Sequence, residues 1–94
     1  SKALEYELKA MEICEKVLGK EHSRTAYFCN NINLVYRTMK DYPKALEYIN
    51  KAYGIAEKNG DTEAMATYLN SLGSTYTDMG EKEKYHDFSS TEYQ

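Results

Sequence analysis

KALEYELKAMEICEK (Lys2–Lys16) returns 42 residues later as KALEYINKAYGIAEK (Lys44–Lys58), with ten of fifteen positions identical. The identities are KALEY itself, Lys9-Ala10 against Lys51-Ala52, Ile13 against Ile55, and Glu15-Lys16 against Glu57-Lys58. Self-similarity at a fixed period of a few tens of residues marks a stacked repeat, in which each unit leaves an apolar face that only its neighbour can bury. A weaker echo at offset 40 sets Ala26, Asn30, Tyr36 and Met39 against Ala66, Asn70, Tyr76 and Met79, with Ile32 answered by Leu72 and Phe28 by Tyr68. The offsets differ because the connector after the first segment is longer.

Within each segment the apolar residues follow helical spacing: Ala3, Tyr6, Ala10 and Ile13 in one, Ala45, Tyr48, Ala52, Ile55 and Ala56 in its copy. No segment alternates apolar and polar residues as a half-buried strand does. The spacing predicts helices over 2–17, 24–39, 43–58 and 62–79, and a fifth over 82–89. Gly19, Gly60 and Gly80 are expected at helix ends, Asp41 and Asp61 at helix starts, and Pro43 in a first turn, where its missing N–H has no partner. Connectors of a few residues make neighbouring helices antiparallel. Ala45 and Ala52 on one face admit a neighbouring helix closely, with Tyr48 filling the space between, and Gly73 is expected to allow the same approach on the fourth helix. Tyr6, Tyr36, Tyr42, Tyr48 and Tyr76 fall at apolar repeat positions and are assigned to packing.

Leu72, Gly73, Tyr76 and Gly80, with Tyr42, Ala45 and Ala52 in the preceding unit, resemble the tetratricopeptide repeat, whose helix A carries a Leu-Gly…Tyr signature and whose helix B carries an Ala…Ala pair. The stretch LGKEHSRTAYFCNNINLVY (Leu18–Tyr36) is similar in particular to the 42-residue repeats of kinesin light chain. The resemblance covers residues 2–80. It implies an all-α antiparallel helix-hairpin solenoid of about two to two and a half repeats in one domain, 1–94: helix B of a first repeat (2–17), a full repeat (24–58), a further repeat (62–89) with a degenerate last helix, and a tail (90–94). Asn33 and Lys40 stand where the pattern prefers Gly, so the first of these units is expected to be splayed or strained. Tyr85 takes the place of a small Ala, so the last helix is expected to cap or dock loosely, with the tail fraying.

Composition narrows the function. Fifteen acidic and 12 basic residues give a net charge of −3 without a Lys/Arg cluster, which argues against nucleic acid and anionic lipid as partners. No apolar run approaches the roughly 20 residues of a membrane span. Cys14 and Cys29, without a CxxC motif or a His to complete a metal site, read as small buried hydrophobes in a reducing, cytoplasmic setting. The opening SKALEY lacks both a signal-peptide pattern and a helix start signal, which is expected of a piece of a longer chain. His22 and His86 read as solvated residues, so no metal, cofactor or catalytic group is expected and the chain is not read as an enzyme.

The candidate site is a stripe on the A-type helices. With Cys29, Ile32 and Tyr36 buried, Tyr27, Asn30, Leu34 and Arg37 form a second line, matched by Thr67, Asn70, Ser74 and Thr77, with Asn31 at the side. An Asn amide offers a donor and an acceptor together, which suits the backbone of an extended peptide. In stacked hairpins the A helices line a concave face, and the family resemblance implies that these asparagines hold a peptide or partner protein there. A single basic residue, Arg37, speaks against a clamp for a terminal carboxylate. The competing expectation is self-association, a homodimer through uncovered terminal helices, since about three repeats make a stable solenoid. A peptide-sensing segment of a larger bacterial signalling protein would share the groove of the first reading.

Overall fold

Each helix starts on a side chain that accepts a backbone N–H. The Ser1 hydroxyl takes Leu4 N–H at 3.3 Å, His22 Nδ1 takes Arg24 N–H at 3.0 Å, Asp41 Oδ1 takes Lys44 N–H at 3.3 Å and Asp61 Oδ1 takes Ala64 N–H at 3.1 Å. These bonds satisfy donors that have no partner within a first turn. The computed structural model describes residues 1–91, with side chains through Glu81. It contains α1 (Lys2–Leu18), α2 (Ser23–Thr38), α3 (Tyr42–Lys58) and α4 (Thr62–Thr91), and no strand among the described residues. The expected caps at Asp41 and Asp61 are present. The opening was read as lacking a start signal, yet Ser1 supplies one.

Two turns close in the same way. After α2, Asp41 N–H donates to Tyr36 O and Lys40 N–H to Arg37 O; after α3, Asp61 N–H donates to Ala56 O and Gly60 N–H to Glu57 O. This double bonding needs a left-handed residue just before each Asp, and Gly60 (φ 66°) provides it without cost while Lys40 (φ 65°) adopts it against its Cβ. The expected strain at Lys40 is there. Gly19, at φ 107°, ends α1, and its carbonyl accepts the hydroxyl of fully buried Thr25 at 2.8 Å.

α2 packs on both α1 and α3, α4 packs on α3, and α2 also touches α4. The core runs from Met11 through Ala26, Cys29, Ile32, Ile49, Ala52, Ile55 and Ala56 to Tyr68. Removing a side chain such as Ile32 or Ile49 from water contributes about 1.5–3 kcal/mol. Ala45 and Ala52 are fully buried, and the rings of Tyr36 on α2 and Tyr48 on α3 stack at 5.8 Å.

Asn33 corrects one expectation. Rather than splaying its unit, it lies fully buried and its Nδ2 donates to Ala45 O at 2.8 Å and Thr75 Oγ1 at 3.0 Å, tying α2 to both α3 and α4. Its Oδ1 has no hydrogen-bond partner among the described residues.

Three further expectations are overturned. Tyr6 and Tyr76, assigned to packing, are exposed, as is Ile13, because no other helix of the chain covers those faces of α1 and α4. A Cβ at Gly73 would meet nothing within 4 Å, so no described residue makes the close approach expected at that glycine. Instead of stopping near 79 and restarting at 82, α4 runs as one helix through Gly80 to Thr91. An interior Gly costs a helix only about 1 kcal/mol, and the helix-forming Glu and Lys residues that follow outweigh it. The side chains of Tyr85 and His86, and all of Glu92–Gln94, lie outside the described residues.

Candidate functional site

The helical spacing that buries Cys29 and Ile32 turns the neighbouring line of α2 outward. Tyr27 and Leu34 are more than half exposed, while Asn30 and Arg37 are half-buried. On α4, Thr67, Asn70 and Thr77 are exposed and Ser74 is half-buried. Asn30 and Asn70 make no hydrogen bond to other described residues, which leaves both amides open to a ligand.

Arg37 and Asp78 join the two lines. Arg37 Nε and Nη2 both approach Asp78 Oδ2 at 3.1 Å, crossing from α2 to α4. A guanidinium held by a carboxylate is partly neutralised, so the single basic residue of the stripe offers little to an incoming carboxylate. The hydroxyls of Thr67 and Thr77 donate to Glu63 O and Gly73 O of their own helix, at 3.2 and 3.0 Å, and keep only their acceptor capacity. Asn31 stands apart from the stripe, because its Nδ2 donates to Glu7 Oε1 on α1 at 3.3 Å. One of its two amide N–H groups is thus taken up by helix pairing.

Tyr27 packs edge-on against Phe28, ring centroids 5.3 Å apart, and the two rings border an open hollow of about 460 Å³ with His22, Ser23 and Arg24. This hollow lies at the α2 N-terminus, where the stripe begins. A second hollow, of about 510 Å³, is lined by Lys20, Glu21 and residues of α3 and shares nothing with the stripe.

Sequence reasoning missed two residues that position this surface. His22, read as a solvated connector, caps α2, a role for which His is an uncommon choice. Asn33 fixes α4 beside α2 through Thr75; the substitution of Asn for Gly was visible, but not its partner 42 residues away.

The thiols are structural. Cys14 and Cys29 are both free and buried. Burial pushes the Cys29 thiol up to about 11, with Lys51 pulling it back and Glu15 and Cys14 adding to the rise. Its Sγ lies 3.5 Å from Met11 Sδ inside the core. A thiol held protonated in this way is a poor nucleophile and metal ligand. No cluster of three or more His, Cys, Asp or Glu suited to a metal occurs among the described residues, and none of their helices is long and apolar enough to cross a membrane.

A search of curated proteins returns no match. The family model for the tetratricopeptide repeat matches residues 1–58 and again 28–84. Proteins of this family are helical-repeat, protein-binding scaffolds. The two matched stretches together run through residues 1–84 and overlap across α2 and α3, so the packed helices described above are tetratricopeptide-repeat helices and the chain belongs to that family.

Proposed function

We propose that the chain is a non-enzymatic adaptor that holds an extended, internal segment of a partner protein along the A-helix line of α2 and α4. In this reading residues 2–17 are helix B of one repeat, 24–58 a whole repeat and 62–89 a further one, similar in length to the repeats of kinesin light chain. The observation that carries the proposal is the repeated, uncommitted asparagine: Asn30 and Asn70 recur at the same repeat position on adjoining helices, each without a partner among the described residues. A primary amide with both donor and acceptor free matches the alternating N–H and C=O of an extended backbone. Leu34 and Tyr27 add apolar contact beside them. Arg37 stays with Asp78, which favours a segment bound through its backbone over one gripped by its carboxyl terminus. Peptide sensing within a larger signalling protein would draw on the same residues.

The test is titration calorimetry with a both-ends-blocked peptide selected on the wild-type chain from a random library. Asn30→Ala and Asn70→Ala are each expected to weaken binding by about fivefold, the loss of one net hydrogen bond of about 1 kcal/mol, with helicity unchanged. Unchanged affinity in both variants sinks the reading.

A further inference from the structure

The outer helices carry copies of an interface that the chain already makes once. α3 meets α2 through Ala45, whose carbonyl accepts from Asn33, and Tyr48, which stacks on Tyr36, and the residues 42 positions earlier on α1 are Ala3 and Tyr6, both exposed, Tyr6 at 74%. α2 meets α3 through Asn33 and Tyr36, and the residues 40 positions later on α4 are Gly73 and Tyr76, again both exposed. Thus α1 presents the α3 side of a helix pair and α4 presents the α2 side. Neither surface matches itself; each matches the other.

We propose that a second copy of this chain covers these faces: α1 of one copy docks on α4 of the next as α3 docks on α2. Tyr6 then stacks on Tyr76 as Tyr48 stacks on Tyr36, 5.8 Å apart with the planes 21° from parallel. Ala3 lies over Gly73, whose open surroundings leave room for it. Charge follows the same repeat. Lys51 of α3 bonds Glu15 of α1 at 2.9 Å. Lys9 corresponds to Lys51 and Glu57 to Glu15, both Lys9 and Glu57 are exposed, and neither side chain has an ion-pair partner among the described residues. Docking brings Lys9 of one copy to Glu57 of the next. Likewise Lys58 pairs with Glu21, and the corresponding residues are Lys16 and Asp61, again of opposite sign.

Because the two faces differ, the contact is head to tail, and it leaves a free face at each end of any dimer. Heterologous contacts of this kind add further copies unless the rotation closes a ring. The added A helices also continue the line of Asn30 and Asn70 from copy to copy, lengthening the groove.

Sedimentation of the 94-residue chain over a hundredfold dilution tests this. The average mass is expected to rise beyond that of a dimer with concentration. Tyr6→Asp blocks one face and Tyr76→Asp the other; both positions are exposed, so circular dichroism should show the wild-type helix content. Each variant alone is expected to be monomeric, while an equimolar mixture pairs through its one intact pair of faces and stops at a dimer. A wild-type chain that stays monomeric throughout overturns the proposal. So does a single variant that still associates, or a mixture that fails to pair, which would point to a face that matches itself.

Discussion

Ile55 and Ile13 occupy the same repeat position, yet Ile55 is 6% exposed and Ile13 is 51% exposed. The same holds for Tyr48, half-buried, against Tyr6, exposed. The central pair, α2 and α3, is packed on both sides, whereas α1 and α4 are packed on one. What differs is the number of neighbours rather than the residues, so identical sequence yields a core in one place and a surface in the other. A repeat protein thus carries in its outer helices a record of the contact that they lack.

The largest effect expected from this comparison is on the isoleucines. Ile55→Ala opens a cavity in the core and should cost about 2–5 kcal/mol. Ile13→Ala, at concentrations where the chain is monomeric, should stay within about 0.5 kcal/mol, as exposed substitutions do. Urea unfolding of both variants checks the ratio. Equal losses would mean that α1 is covered in solution, and repeating the measurement at higher concentration shows whether the difference narrows as copies assemble.

Periodicity made the helices legible, and the reason is local: the 3.6-residue spacing and the turn residues of the short connectors are written into each segment by itself. The exposure of Tyr6 and Tyr76 was not legible, because spacing names the face a residue occupies but not whether a partner stands opposite. Gly80 misled for a related reason. A glycine ends a helix only where the chain also turns, and α4 continues through it. Of the candidate site, the pairing of Asn30 with Asn70 could be read from the repeat alone, whereas Asn31 bonding Glu7 and Arg37 bonding Asp78 depend on residues of other helices, and no pattern within α2 announces them.

The second contrast reverses sign. Asn33→Ala removes the bonds to Ala45 O and Thr75 Oγ1 from a fully buried site and should cost about 1–3 kcal/mol. At the matching position of α4, Gly73→Ala adds a methyl that meets nothing and replaces the poorer helix former, so it should gain up to about 1 kcal/mol. Thermal unfolding of the two variants should therefore move the midpoint in opposite directions. A loss from Gly73→Ala would show that something does approach that glycine.

The smallest effect separates the two matched turns. Lys40 and Gly60 close α2 and α3 with the same pair of backbone bonds and nearly the same φ, 65° and 66°, so the difference between them is the Cβ alone. A left-handed residue with a Cβ costs about 1–2 kcal/mol, and a glycine gives back about 0.5–1 kcal/mol through its freer unfolded chain. Lys40→Gly should accordingly gain about 0.5–1 kcal/mol, or about 2–8 °C in the midpoint for a domain of this size. Gly60→Lys should lose a similar amount. If both substitutions were neutral, the two turns would have to open or shift to another closure in solution, and the strain at Lys40 would not be a property of the folded chain. If both followed the expected signs, the turn after α2 would be the weaker of the two hinges, so the pairing of Tyr36 with Tyr48 would depend on packing where the turn after α3 depends on geometry.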